Sequence, residues 1–227
     1  MSSAKGKLLR LLSRVVLRQA QVVSVEDVAE GFRRITLRGA LPRPEPGTKV
    51  QMLLPSDDVR TYSPIPSDEE GSVTLLCWKH AGGPGARWVS SVAPRERVRF
   101  LGPQRSLDLP ATPMIVVGDE TSIGVAASFA SARPAGVQAV LHCASPDAAR
   151  LAAASVGLER THIVGGDSGA REVIEAVVAA RDEAPTAKVF LTGGSDLLVE
   201  VRAALRKRGI DDITSKAYWV PGKTGLD

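Results

Sequence analysis

The hydrophobic period of this chain changes once, at the proline-bracketed stretch Leu109–Pro113, and no single sheet or helical bundle accommodates both patterns. Before that stretch, apolar residues recur at every second position. Ile35 and Leu37 alternate with Arg34, Thr36 and Arg38, Val50 and Met52 with Lys49 and Gln51, and Val98 and Phe100 with arginines. A period of two marks strands with one buried face. The run SVTLLCWKH adds strand formers, and Gly and Pro punctuate between the runs. Short strands at this spacing predict a small antiparallel barrel or sandwich, interrupted by a helix over Gly85–Val92.

After the boundary, short continuous apolar runs alternate with helical patterns. MIVVGD, VQAVLHCA, THIVGG, KVFLTGG and SKAYWV read as strands. TSIGVAASFASA, PDAARLAAA, AREVIEAVVAARDE and DLLVEVRAALRKRG read as helices. Ser145 before Pro146 and Ser195 before Asp196 mark two helix starts. Such alternation predicts a doubly wound parallel sheet. The expected organisation is a basic arm over residues 1–18, a β-barrel domain over 19–110 and an α/β domain over 111–227.

Charge bounds the partners. Lys5, Lys7, Arg10, Arg14 and Arg18 give the first eighteen residues +5 with no acid, while the whole chain carries +4, so the remainder is −1. Basicity confined to an arm, with no aromatic-interleaved patch, argues against a nucleic-acid partner. In the arm, leucines and valines stand at helical spacing between the cations. This reads as an amphipathic helix, packed on the body or fraying, with contact to a membrane surface as the alternative. No apolar run is long enough for stable membrane insertion. Cys77 and Cys143 lie far apart inside apolar runs and form no CxxC, which predicts buried thiols, no metal site and a cytoplasmic location. The three histidines, His80, His142 and His162, are scattered.

Four short stretches carry candidate chemistry. GDETS (Gly118–Ser122) and TGGSD (Thr192–Asp196) are strand-to-helix turns whose N–H groups could receive an anion. Neither is a GxGxxG or a P-loop, and ordinary turn chemistry explains either one alone. HAGGPGARWVSSV (His80–Val92) offers glycines that allow close backbone approach and then a helix N-terminus. RTYSPIP (Arg60–Pro66) puts Arg60 and Tyr62 on one face of a strand, with Ser63 beside them. Arg60 could hold a pyrophosphate, Tyr62 could lie on a fused ring, and Ser63 could bond a ring nitrogen.

Together with VVGDETSIGVAASF and the terminal AYWVPG, these stretches resemble the ferredoxin–NADP reductase superfamily. Within it the chain is similar to the siderophore-interacting proteins, flavin-dependent ferric-siderophore reductases. The resemblance runs from about Gln21 to Gly222. It implies an antiparallel FAD-binding barrel followed by a doubly wound NAD(P)-binding domain, and an oxidoreductase that uses NADPH or NADH to reduce the iron of a ferric siderophore. It implies FAD contacts from Arg60, Tyr62 and Ser63, and a pyrophosphate site over Lys79, His80, Gly83, Gly85, Ala86, Arg87 and Trp88. Asp119, Glu120 and Thr121 would line the nicotinamide side, Gly193 and Gly194 would border the nucleotide, and Tyr218 and Trp219 would close over the flavin. Tyr62, Ser63, Thr121 and Trp219 are the implied catalytic contacts.

Relatives usually continue the R-x-Y-T motif with a second arginine, where this chain has Ile65. Lys79, Arg87 and Lys223 are candidate cations for steering an anionic substrate, and Arg150 for a 2′-phosphate. A reductase with a different acceptor, a flavin or a ferredoxin- or flavodoxin-type protein, keeps the same fold and cofactor. A binding module without redox function is the alternative from another class.

Overall fold

The computed structural model describes residues 17–39, 42–67, 69–80, 82–166 and 169–223. The arm and its expected helix lie almost wholly outside these residues. The chain divides into two compact units, the first ending at Asp108 and the second beginning at Leu109.

The first unit holds seven strands: β1 (Arg18–Ala29), β2 (Phe32–Arg38), β3 (Thr48–Leu53), β4 (Val59–Tyr62), β5 (Ile65–Pro66), β6 (Ser72–Trp78) and β7 (Arg97–Arg105). They form one barrel-like antiparallel sheet in the order β4-β3-β7-β1-β2-β6-β5, not closed between its end strands. The period of two does the folding. Ile35, Leu37, Val50, Met52, Leu75, Val98 and Phe100 all turn into one buried cluster. The longest strand, β1, is absent from the sequence reading, because only Ala20 and Val22 of it are buried and its remaining residues show little alternation.

Helix α1 (Gly83–Ser91) begins two residues earlier than expected, since Pro84 is tolerated in a first turn. It plugs Trp88 and Val89 into the barrel core. Its C-terminal carbonyls are capped by a strand residue. The Arg33 guanidinium donates to Val89 O at 2.8 Å and Ser90 O at 3.0 Å while paired with Asp27 at 2.8 Å. Asp27 also takes the Lys79 ammonium at 2.8 Å, and these two cations hold its carboxyl well below the usual range.

The second unit holds a parallel sheet of β8 (Met114–Gly118), β9 (Val137–His142), β10 (Thr161–Val164), β11 (Lys188–Gly194) and β12 (Ile213–Trp219) in the order β10-β9-β8-β11-β12. The helices are α2 (Ile123–Ala130), α3 (Pro146–Ser155), α4 (Gly169–Glu183) and α5 (Ser195–Lys207). Ile115, Val117, Val189 and Leu191 share a cluster with Val173 and Val177 of α4 and Val201 and Leu205 of α5. Phe190, one position out of phase, meets Phe129 of α2 at 5.9 Å, so apolar residues are packed on both faces of the sheet. That is why these strands read as continuous apolar runs.

Two helix starts differ from expectation. Residues Glu120–Ser122 form a 3₁₀ turn before α2, and Ser195 is the first residue inside α5, with Gly194 in the capping position. Ser145 does occupy the cap of α3 but makes no side-chain cap bond.

The strand order reverses between β8 and β11, and their carboxyl ends approach closely. A Cβ at Gly118 would meet the Ser122 hydroxyl and the Thr192 carbonyl. These neighbours are fixed, because the Thr192 hydroxyl donates to Ser122 Oγ at 2.8 Å inside the core. Gly118→Ala is expected to destabilise the protein by about 3 kcal/mol through forced separation of the two strand ends, read by denaturant unfolding. A change within a few tenths of a kcal/mol would show that this approach is not rigid.

Candidate functional site

Among the described residues, chemistry-bearing side chains cluster at one place in each unit. In the first unit, β4 pairs with β3 so that Tyr62 lies opposite Val50 and Arg60 opposite Met52. Both partners are core residues, so Arg60 and Tyr62 share the core-side face at a sheet end. The Tyr62 ring is half-buried and tilts at 52° against Trp88, with centroids 5.6 Å apart. Burial pushes its hydroxyl above the ordinary value, so the phenol stays neutral.

The aliphatic stem of Arg60 runs past the first turn of α1. A Cβ on Gly85 would come within 3.3 Å of Arg60 Cγ. His80 flanks the same turn, its Cε1 within 3.5 Å of where a Gly83 Cβ would stand. The cap residue Gly82 has φ +84° and supplies no side-chain oxygen, and no acid lies in the first turn. The first N–H groups of α1 therefore lack a capping side chain, with a guanidinium and an imidazole beside them. Among the described residues, Arg60 has no carboxylate partner. Its guanidinium donates to the neighbouring Val59 carbonyl at 2.7 Å.

In the second unit, one carboxylate organises the carboxyl ends of three strands. Asp119 follows β8 and is only 6% exposed. Its Oδ1 accepts from the Thr121 N–H at 2.9 Å and the Thr121 hydroxyl at 2.5 Å. Its Oδ2 accepts from the Gly194 N–H at 2.7 Å and from Trp219 Nε1 at 2.8 Å. The diglycine of β11 makes room for this arrangement. A Cβ at Gly193 would stand 2.6 Å from Asp119 Oδ2, and one at Gly194 would stand 2.5 Å from the Trp219 ring. Trp219 lies over Gly194 and is still 41% exposed.

Beside this hub, Glu120 is buried and its Oε1 accepts the Ala144 N–H at 2.7 Å, tying β8 to the loop after β9. Desolvation raises its pKa above the ordinary carboxyl value, with neighbouring Asp119 adding to the rise. Cys143 is a free, buried thiol, pushed up by burial and then by Glu120 and Asp119. Cys77 is likewise free and buried, as the sequence predicts.

The residues expected at one site from sequence are thus sorted by the fold. Arg60, Tyr62, His80, Gly83 and Gly85 come together around the start of α1, with Ser63 and Ala86 adjoining in the chain. Trp88 is a core residue, 5% exposed, that reaches this cluster by supporting Tyr62. The Lys79 ammonium is held by Asp27, whereas Arg87 is exposed on α1. Asp119, Glu120, Thr121, Gly193, Gly194 and Trp219 come together in the second unit, and Tyr218 is half-buried on β12. The turns GDETS and TGGSD give up three of their donors to internal acceptors. The N–H groups of Thr121 and Gly194 are taken by Asp119, and that of Ser122 by the Asp119 carbonyl. Ile65 is a core residue, 5% exposed, paired with Thr74. Arg150 is paired with Asp147 at 2.6 Å. The Asp27–Arg33 pair that seats α1 is missed by sequence reasoning, because no local pattern links a strand arginine to a helix 56 residues away.

The siderophore-interacting protein family matches residues 111–222. The match covers the strand–helix alternation and the Asp119–Trp219 hub. Among solved structures, the siderophore-interacting protein SipS from Aeromonas hydrophila is similar with a TM-score of 0.70 and 21% identity, over 92% of this chain and 93% of that one. Phthalate dioxygenase reductase, a modular structure for electron transfer from pyridine nucleotides to a 2Fe–2S group, gives 0.74 and 16%, over 91% and 70%. Full-length CYP116B46 from Tepidiphilus thermophilus gives 0.71 and 19%, over 93% of this chain, which spans 30% of that protein. No curated protein matches the sequence. The fold is ferredoxin reductase-like.

Two predictions test the hub. Asp119→Asn replaces one acceptor oxygen by a donor and leaves two of its four donors unmatched. Stability should fall by about 3 kcal/mol in denaturant titration, and emission assigned to Trp219 by comparison with Trp219→Phe should shift to the red. Glu120 has a folded-state pKa above its unfolded one, so it costs stability as pH rises past the ordinary carboxyl value. Glu120→Gln should therefore raise the melting temperature at neutral pH, with the gain shrinking as the pH falls through that range. A gain independent of pH would assign the effect to packing.

Proposed function

We propose that this protein is an FAD-dependent NAD(P)H oxidoreductase of siderophore-interacting type that reduces Fe(III) in a ferric siderophore to Fe(II). The observation that carries the reading is the cradle at the start of α1. Arg60 and His80 flank a helix terminus with no capping side chain, and Gly83 and Gly85 leave room that a Cβ would fill. These residues fit a pyrophosphate, and the half-buried Tyr62 ring fits the edge of a flat heterocycle held beside it.

In this reading the first unit binds FAD through Arg60, His80, the N–H groups of Gly83, Gly85 and Ala86, and Ser63. Bound FAD supplies acceptance of a hydride from the nicotinamide and onward delivery of its two electrons singly, which suffices for two ferric ions. The second unit binds the nicotinamide nucleotide along the carboxyl ends of β8 and β11, where the strand order reverses. Asp119 holds Thr121, Gly194 and Trp219 in fixed positions there. Because Trp219 covers Gly194, a nucleotide that reaches the diglycine displaces the indole. The protein needs no ligand to the iron. Fe(III) is the harder acid, and reduction loosens its hold on oxygen chelators.

Ile65 limits the cradle. With an apolar core residue where relatives carry a second arginine, Arg60 is the one permanent cation of the motif, which favours weak flavin binding. The same observation supports the alternative of a binding module without redox function.

The test is the visible spectrum of the protein with added FAD, recorded anaerobically before and after NADPH or NADH, then with a ferric siderophore. The expected result is a bound-flavin spectrum that bleaches with one of the nucleotides and recovers as Fe(II) appears. Arg60→Ala should weaken FAD binding about ten- to hundredfold. Absence of bound flavin overturns the reading and favours the binding module. A flavin that bleaches but does not reduce the siderophore assigns the electrons to a different acceptor, such as a ferredoxin-type protein.

A further inference from the structure

Trp78 ends β6 close to the cradle, and the proposed pyrophosphate site does not use it. Val73, Leu75 and Cys77 of that strand point into the barrel core, so Trp78 lies on the opposite face. Register sets it across from Phe32 of β2, and the two share that face. The indole is located by two contacts. A Cβ at Gly31, in the turn between β1 and β2, would stand 3.7 Å from Trp78 Nε1. The ring also tilts at 48° against His80, with centroids 5.6 Å apart. His80 in turn flanks the first turn of α1, its Cε1 within 3.5 Å of where a Gly83 Cβ would stand. Trp78 is half-buried and His80 exposed, so a ligand can reach both rings.

The surroundings of this pair suit a neutral group. The ammonium of Lys79, between the two rings in the chain, is held by Asp27 at 2.8 Å. Arg34, two residues from Phe32 on the same face, pairs with Glu26 at 2.6 Å. These cations are already matched to carboxylates, whereas Arg60 at the cradle has none among the described residues. An anion is therefore drawn to the start of α1 and an uncharged flat ring to Trp78 and His80. Two aromatic places then flank one anion cradle, Tyr62 reached past Arg60 and Trp78 reached past His80. FAD has this layout, with a flat ring beyond each end of its pyrophosphate. FMN has one flat ring and one phosphate, and leaves the Trp78 side empty. A base stacks on an aromatic side chain through its π-face, so no particular edge pattern is needed.

We infer that Trp78 and His80 seat the adenine ring and make this protein select FAD over FMN. The inference rests on the flavin reading. It is tested by equilibrium dialysis of the full chain against FAD or FMN, with bound flavin read by absorbance. The expected result is FAD held about tenfold more tightly than FMN. Trp78→Leu, which keeps an apolar side chain beside Phe32, should weaken FAD about tenfold and leave FMN unchanged. Trp78→Phe should retain most of the FAD affinity, because a phenyl ring still stacks. FMN binding by each variant reports that the cradle is intact. Equal affinity for the two flavins in the unsubstituted protein overturns the inference and leaves the flavin reading in place. An equal loss of both flavins in Trp78→Leu, or no loss of FAD, does the same. A Trp78→Phe variant that loses FAD as fully as Trp78→Leu removes stacking as the cause and also overturns the inference. Failure of the unsubstituted protein to bind either flavin overturns the flavin reading and the inference together.

Discussion

One buried carboxylate fixes the working end of the second unit. Asp119 accepts four hydrogen bonds, from Thr121 twice, from Gly194 and from Trp219. Those donors belong to the turn after β8, the end of β11 and the end of β12. A carboxylate removed from water needs this many donors to remain acceptable in the interior. The consequence is rigidity at the place where the strand order reverses and a ligand is expected. It also explains the diglycine Gly193–Gly194, which makes room for the carboxylate and the indole.

The first unit solves a related problem with a cation. Arg33 caps the end of α1 from a neighbouring strand and is itself held by Asp27. With its C-terminus fixed and Trp88 and Val89 in the core, α1 holds its N-terminus against Arg60 and His80. The two units thus treat their glycine-rich turns in opposite ways. In the second, an internal carboxylate takes the N–H groups of Thr121 and Gly194. In the first, no side chain caps the helix start. That contrast is why the proposed phosphate site lies at His80–Trp88, while Asp119 ties the GDETS and TGGSD turns to each other.

Much of the fold was legible because the side-chain period is a local property. The alternation through Ile35–Leu37 and Val50–Met52, and the continuous runs at Met114–Val117 and Val189–Leu191, each state how many faces of a strand are buried. β1 was not legible, because a strand with only Ala20 and Val22 buried leaves too faint a pattern. The start of α5 was misplaced because Ser195 has the chemistry of a cap while the backbone puts Gly194 there. For the candidate site, RTYSPIP gave the face shared by Arg60 and Tyr62, since strand geometry alone sets it. Lys79 looked like a free cation, and its pairing with Asp27, 52 residues away, had no local signature.

The sequence by itself determined two layers of different periodicity, their order, the cluster of residue types suited to a flat, phosphate-bearing cofactor, and a cationic arm. Those are consequences of composition and spacing within a few residues. The tertiary structure alone decided which glycine-rich turn keeps uncapped donors, that Ile65 lies in the core, that Trp219 covers Gly194, and that Asp27 holds the Lys79 ammonium. The physical reason is the same in each case. Whether a polar group is spent or available depends on partners brought by the fold from tens of residues away, and a local pattern carries no record of them.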